Sequence, residues 1–457
     1  MTGTAPTDMG RAAGTDPSVA WPGAETGVDR PTLFGMPLGA VDGPLAALIA
    51  AEEARNLDTI NLIASESYCP RATLEAEASI LVSKNVYGYP GRRGVAGCGV
   101  FDEIERLAVS RACALFGAGQ ANVQALSSTI ANIAVLRALL RPGQTILSFE
   151  ETAGGHHSHG APYHLSGRDY RVVAFGVDET HGRLDLDTAR RLAHEHRPAL
   201  IVAGSTSFPR AIDFAGLAET AREVGASLFA DIAHVSGLVA AGLHPNPTGC
   251  ADVVTTSTHK TLCGPRTGGL VLTRSPEIAE AVDAELFPGL QGAPGAHIIA
   301  GRAALFGIAM RAEFAQLMRS VVENARSFAA ALAEQGLDLF VGGTETHMVV
   351  VDLRGRDADG LAVERALEAH GILANRVTLP TRARGRSRVG LRVGTTAMSI
   401  RGFGREAFRE TAHLIAEIVG APSRLRRPTA ERARRLARSH PIPPDFLPIR
   451  FGAAAKG

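Results

Sequence analysis

The sequence predicts an α/β fold, a mostly parallel central sheet with helices on both faces, followed by a smaller C-terminal α+β domain. Three observations carry this expectation. From about residue 100, short apolar runs at 144–149, 171–177, 199–203, 227–231, 252–256 and 269–273 alternate with helical patterns such as 186–195 and 217–224. That alternation is the mark of parallel strands joined by helical crossovers. It then gives way to a long helical stretch, about 298–335, beyond which a strand at 347–353 and helices at 361–370 and 404–419 read as a second unit. Finally, 457 residues at 45% hydrophobic and 20% charged are long enough for two or three domains with ample core.

Taken in order, residues 1–30 are rich in Gly, Thr, Pro, Ala and Asp without periodicity and read as a disordered extension. Order is expected from about Pro31. Residues 31–85 then form an N-terminal arm, with a helix capped by Asp42, Pro44 in its first turn and Leu45, Leu48 and Ile49 along one face. The large domain is expected over 86–320 and the small one over 321–457. No internal repeat or low-complexity tract follows residue 30.

Composition narrows the function classes. A net charge of +1 gives no bulk electrostatic case for nucleic acid or an anionic membrane. Five cysteines, at 69, 98, 113, 250 and 263, form no C-x-x-C pair and are too scattered for a disulfide framework, so a reducing cytoplasm is expected. No stretch approaches the roughly 18–20 apolar residues of a membrane span, and no basic start leads into an apolar signal core. The arginines of 424–435 are balanced by acidic residues elsewhere and read as a solvated helix face. His156, His157 and His159 are spaced too tightly for a tetrahedral set, and with no second ligand pair apparent no metal is expected.

Arginine supplies nearly all the positive charge, and the only lysines are Lys84, Lys260 and Lys456. A lysine amine, unlike a guanidinium, loses its proton when desolvated and attacks carbonyls to form a Schiff base. Lys260, in Thr255-Thr256-Ser257-Thr258-His259-Lys260-Thr261, is thus a candidate anchor for pyridoxal 5′-phosphate. Such a site also needs a carboxylate against the pyridine nitrogen, since the protonated ring is the electron sink. Asp231 closes the apolar run 227–230, and His234 follows three residues later. A second short strand ends at His259-Lys260, before the loop 264–269. Ligands of open α/β sheets bind beyond the carboxyl ends of strands, so these groups are placed to converge.

With these runs in hand, the chain resembles the serine hydroxymethyltransferase family of fold-type I pyridoxal phosphate transferases. The resemblance covers about 35–440 and rests on ordered matches at 61–66, 89–93, 231–240, 255–265, 287–292 and 391–395. It implies Lys260 as the covalent anchor, Asp231 as partner of the pyridinium nitrogen and His234 beside the phenolic oxygen. Ser127, Ser128 and Thr129 match the phosphate-holding segment, with Ser257 and His259 in the cofactor-binding set, and Gly292 matches a glycine contributed by the other subunit of a homodimer. Arg392 is implied as the clamp on the substrate carboxylate, assisted by Ser65. Small-molecule amino acid and aldehyde substrates follow.

The chain also departs from the family. Asn85 stands where a tyrosine is usual, Tyr87 where the family has a proton-transferring glutamate, and Gly94 and Val95 replace a tyrosine pair. Ala153 takes the place of the ring-stacking histidine, and Val377 that of a folate-contacting asparagine. These departures argue against tetrahydrofolate as a co-substrate. The expectation is aldol and retro-aldol cleavage at Cα–Cβ of glycine and β-hydroxy-α-amino acids, of threonine aldolase or transaldolase type, with Tyr87, His156 or a water as base. The alternatives are ordinary folate-dependent serine–glycine hydroxymethyl transfer, and a non-catalytic regulatory protein that binds pyridoxal phosphate.

Overall fold

The computed structural model describes residues 34–446 other than 267, 355, 357, 358, 381–388 and 425. The extension expected over 1–30 and the start of order at Pro31 lie outside the described residues. Contacts divide the chain into one unit of Met1–Glu53 with Phe451–Gly457 and another of Ala54–Arg450. In the first, the described part is helical over Leu38–Val41 and from Gly43 onward, and Asp42 Oδ1 accepts the amide of Leu45 at 2.9 Å, the cap expected from sequence.

The second unit is built on a seven-stranded sheet. Its strands are β1 (Gln120–Asn122), β2 (Thr145–Phe149), β3 (Arg171–Phe175), β4 (Leu200–Gly204), β5 (Ser227–Asp231), β6 (Val253–Ser257) and β7 (Gly269–Thr273), in the order β1-β7-β6-β5-β4-β2-β3. All pairings are parallel except those of β7, which is antiparallel to β6 and β1. Every residue of β4, β6 and β7 is buried, which is why these strands read as unbroken apolar or hydroxyl runs rather than as alternation. Helices α1 (Gly99–Phe116), α2 (Ser128–Leu139), α3 (Leu186–His196), α4 (Phe214–Val224), α5 (Pro276–Ala284) and α6 (Ala296–Ala309) belong to the same part of the chain.

A second core gathers Phe328, Leu332, Val349, Val351, Leu391 and Phe408 around a three-stranded antiparallel sheet of β8 (Met348–Asp352), β9 (Asn375–Thr378) and β10 (Val389–Gly394), ordered β8-β10-β9. Ile60 and Leu62 of the expected arm lie in this core, and Ile60–Asn61 pairs in parallel with Ile372–Leu373. Among the described residues, no helix is long and apolar enough to cross a membrane.

Three local expectations change. The helical stretch 298–335 is two helices, α6 and α7 (Ala312–Glu334), because Arg311 takes an extended conformation at φ −82°, ψ 150° that an apolar period does not register. The run 171–177 breaks after Phe175, and Val177–Asp178 pairs instead with Arg183–Leu184. Strand β1 escapes the sequence reading because Gln-Ala-Asn offers no apolar run.

One close approach brings the arm to the chemistry. Gly394 donates its amide to the Leu62 carbonyl at 2.7 Å, and a Cβ at 394 would stand 2.5 Å from Ala64 Cα. Glycine there lets residues 62–65 lie against the end of the strand that carries Arg392. Arg401, buried, donates to the carbonyls of Asn56, Leu57, Thr59, Ala437 and His440 and so gathers two distant segments on one guanidinium. Replacing it with methionine is expected to cost about 3 kcal/mol, the scale for stranding several buried acceptors. A denaturation midpoint equal to that of the parent would refute this role.

Candidate active site

The site is assembled at the carboxyl ends of β5 and β6. Asp231 closes β5 and pairs in register with Thr255 of β6 and Gly204 of β4. Its Oδ2 accepts hydrogen bonds from Asn132 Nδ2 at 2.8 Å and His159 Nε2 at 2.9 Å, and its Oδ1 accepts the Ala233 amide at 2.9 Å. Asn132 is oriented in turn by Thr255 Oγ1, which donates to its Oδ1 at 2.6 Å. Burial alone would raise the Asp231 carboxyl, but the hydrogen bond and charge of His159, with His156 and Lys260, override it and hold the group well below the usual carboxylate range.

Lys260 follows β6 in a turn closed by the Gly264 amide on the Thr258 carbonyl at 2.7 Å. Thr261 Oγ1 donates to the His234 carbonyl at 2.9 Å and accepts the Gly237 amide at 3.0 Å, so the lysine turn and the histidine turn are stitched together. A Cβ at 237 would stand 2.1 Å from the Thr261 carbonyl oxygen, so only glycine permits the seam. Lys260 is buried, and that burial, with Arg392 and Arg266 nearby, pulls its amine down from 10.5 to about 8 although Asp231 opposes the shift. His234 is driven well below its ordinary value by burial, then by Lys260, Arg392 and His347, and its Nδ1 has no partner. The His347 ring stacks on it with centroids 5.8 Å apart.

Ser127 caps α2, its Oγ accepting the Ile130 amide at 3.1 Å, so Ser128 and Thr129 open the helix with backbone N–H groups directed outward. Gly269 fixes this corner, since a Cβ there would meet the Ser127 carbonyl oxygen at 2.2 Å. Asn132 lies four residues after Ser128, so the start of α2 and the carboxylate of Asp231 are separated by about one helical turn, roughly 6 Å along the axis. Arg392 of β10 is buried and donates to the Thr206 carbonyl at 2.8 Å and Asn375 Oδ1 at 3.0 Å, while its Nε is unpartnered. Burial lowers its guanidinium to about 10. No carboxylate meets it among the described residues, so the structural salt bridge that would otherwise account for a buried arginine is absent.

Lys260 therefore interacts electrostatically with Asp231, His234 and Arg392, and Arg392 with His234. Other residues are occupied differently. Ser257 Oγ donates to the Ala233 carbonyl at 3.3 Å, His259 is held by Ser67 on its carbonyl with its Nδ1 unpartnered, and Gly292 is exposed. Ser65 sits in the segment that Gly394 admits, half-buried. Sequence reading missed Asn132, His159, His347 and Asn375. The signal for Asn132 was its i, i+4 spacing from Ser128.

The histidine triplet needs correction as well. His156 and His159 bring ligand atoms within 4.8 Å of Asp231, which supplies the third group that spacing alone did not show. Asp231 Oδ2 is already bonded by His159 and Asn132, and Ser158 Oγ lies 2.7 Å from His156 Nδ1. His156 is lowered to about 3, first by burial and then by His159, so it is neutral and a weak base at neutral pH. Tyr87 donates its hydroxyl to the Gly94 carbonyl at 2.6 Å.

The donor set fits a phosphorylated pyridine aldehyde. A fixed carboxylate and a helix start lie one turn apart, a desolvated amine interacts with that carboxylate, and the buried His234 Nδ1 and Arg392 Nε are unpartnered.

A model of the serine hydroxymethyltransferase family matches residues 38–415. "Serine hydroxymethyltransferase 2" of Rhodopseudomonas palustris is 46% identical over 437 residues, covering 93% of this chain and 99% of that protein. A serine hydroxymethyltransferase of Synechococcus sp. is 46% identical over 398 residues, covering 84% of this chain and 92% of its own. That of Acidiphilium cryptum is 46% identical over 387 residues, covering 84% and 89%.

Lys260 gives a pH signature. Between about 8 and 10.5 the unfolded chain binds the proton that the folded chain has released, so stability attributable to Lys260 rises with pH there. Its penalty is complete below about 8 and gone above 10.5. In cofactor-free protein, the stability advantage of Lys260→Met over the parent should shrink across this window. An advantage independent of pH would mean that the lysine titrates normally.

Proposed function

The chain belongs to the serine hydroxymethyltransferase family, and we propose that it makes and breaks the Cα–Cβ bond between glycine and β-hydroxy-α-amino acids with pyridoxal 5′-phosphate. The observation that carries this is the grouping of Lys260, Asp231 and His234 with Arg392, a buried guanidinium that no carboxylate meets among the described residues. The cofactor, when bound, supplies a sink for the electron pair left at Cα.

The chain's own residues account for the rest of the reading. Asp231, held anionic by its three donors, keeps a proton on a ring nitrogen placed against it. Lys260, at about 8, has a substantial neutral fraction near neutral pH and so can be the covalent anchor. Ser128 and Thr129 at the start of α2 receive the phosphate, with Ser127 shaping the cap and Gly292 contributing from a second copy of the chain. Arg392 receives the substrate carboxylate through a planar fork, Ser65 beside it, and so selects which bond at Cα is left free to break.

The named relatives favour hydroxymethyl transfer from serine as the first reading of the far side of the site, with the folate acceptor that the family resemblance implies. One contact favours a second, folate-free aldol or transaldolase reading. A Cβ at Gly94 would fall 1.9 Å from Tyr87 Cε2, so the phenol fills the space that a side chain at 94 would take. Neither that phenol nor His156 offers the carboxylate base that folate chemistry uses in the family.

Two measurements test these readings. Arg392→Lys keeps the charge but loses the fork, and it is expected to raise KM for the amino acid about tenfold or more with a smaller change in kcat. An unchanged KM would remove the clamp. The visible spectrum of cofactor-loaded protein, followed during addition of glycine and then tetrahydrofolate, with L-threonine in parallel, separates the acceptors. A long-wavelength band strengthened by folate supports hydroxymethyl transfer. A band raised by threonine and indifferent to folate supports the aldol reading.

A further inference from the structure

Val123–Ala125–Leu126, with Gln124 between, is the stretch that delivers the chain from β1 to the start of α2, and it belongs to no strand. Val123, Gln124 and Ala125 are nonetheless buried. Their backbone groups need partners, and two side chains supply them from outside the sheet. Arg302 of α6, 2% exposed, donates Nη1 to the Val123 carbonyl and Nη2 to the Ala125 carbonyl, the latter at 2.9 Å. Gln291 donates Nε2 to the Gln124 carbonyl at 2.9 Å and accepts the Leu126 amide on Oε1 at 3.1 Å. Alternate residues are thus held by alternate side chains, the guanidinium on 123 and 125 and the amide on 124 and 126, as two neighbouring strands would hold them. Gly269 adds its own amide to the Ala125 carbonyl at 2.9 Å.

Two features go beyond satisfying a buried loop. Gln291 makes both halves of an amide rung, donor to Gln124 and acceptor from Leu126, the residue before Ser127. Arg302 is a buried cation that no carboxylate hydrogen-bonds among the described residues, Glu77 and Glu105 acting on it only through space, so its burial remains costly. The segment it grips leads directly into the helix start whose N–H groups are the proposed phosphate site.

We infer that Gln291 and Arg302 are positioning residues for the cofactor phosphate: together they fix the aim of the N–H groups that open α2, and Arg302 places positive charge behind them. Neither touches the phosphate. The inference rests on the proposed cofactor and deepens it, because it says which part of that molecule these side chains serve.

The test compares pyridoxal 5′-phosphate with pyridoxal, which lacks the phosphate. Cofactor-free parent, Arg302→Met, Arg302→Lys, Gln291→Leu and Gln291→Glu are titrated with each, following absorbance, and folding is checked by near-ultraviolet circular dichroism. Arg302→Met and Gln291→Leu are expected to weaken pyridoxal phosphate about tenfold or more while pyridoxal changes about twofold or less. Arg302→Lys, which keeps the charge, should recover part of the preference. Gln291→Glu is nearly isosteric and keeps the acceptor for Leu126 but not the donor for Gln124, so it preserves the test if a larger change fails to fold. Folded variants with the parent's ratio of the two dissociation constants, or with both constants raised in proportion, overturn the inference and leave a structural role only. Failure of the parent itself to bind pyridoxal phosphate would overturn the cofactor reading, a distinct result.

Discussion

An ionised carboxylate buried at the end of a central strand is the constraint around which this molecule is organised. Asp231 cannot remain charged in the interior without donors, because desolvation of an unpaired carboxylate costs more than a typical fold can absorb. The donors come from three directions: Asn132 from α2, His159 from the turn after β2, and Ala233 from the turn after β5 itself. Satisfying one side chain therefore fixes the relative placement of a helix and two loops. Thr255 ties the neighbouring strand to the same point through Asn132. The lysine turn follows that strand, so the position of Lys260 is set partly by the needs of Asp231.

This explains which parts were legible in advance. The strand ends at Asp231 and before Lys260 were readable because fully buried parallel strands appear as short apolar or hydroxyl runs, and β5 and β7 fall where expected. The three-dimensional partners of Asp231 were not. His159 was weighed only as a metal ligand with its neighbours in sequence, although its partner lies 72 residues away. Asn132, among the apolar and small residues of the first turns of its helix, looks like an ordinary interior position until the strand beside it is known. Sequence spacing reports neighbours along one element; a buried polar cluster recruits across elements.

The second core shows the same limit in backbone terms. Residues 60–65 read as part of an N-terminal arm, yet Ile60 and Leu62 are buried with Phe328, Val349 and Leu391, far along the chain. Gly394 alone makes the approach feasible, and nothing about a glycine two residues after an arginine announces a backbone contact with Ala64. The consequence is chemical: the segment carrying Ser65 is tied to the strand carrying Arg392 by a direct Gly394–Leu62 hydrogen bond. A substrate clamp made from the two would be held by one backbone contact instead of by two independently mobile loops.

The departures from the family are likewise easier to understand as physical groups than as single positions. Tyr87 and Gly94 exclude each other's alternatives, since the phenol ring occupies the volume of any Cβ at 94 and its hydroxyl is bonded to the carbonyl of that same glycine. Phe287, 6.0 Å from the Tyr87 ring, backs the pair. Ala153 is fully buried, and the next residue, Gly154, has φ 120° and would press a Cβ to 2.8 Å from the Phe208 amide. A larger side chain at 153 would therefore have to displace a tightly packed turn. Meanwhile His156, three residues on, is half-buried within electrostatic reach of Asp231 and Lys260. A larger side chain at 94 or 153 alone would meet neighbours shaped for its absence, so a functional difference at these positions must be read together with those neighbours.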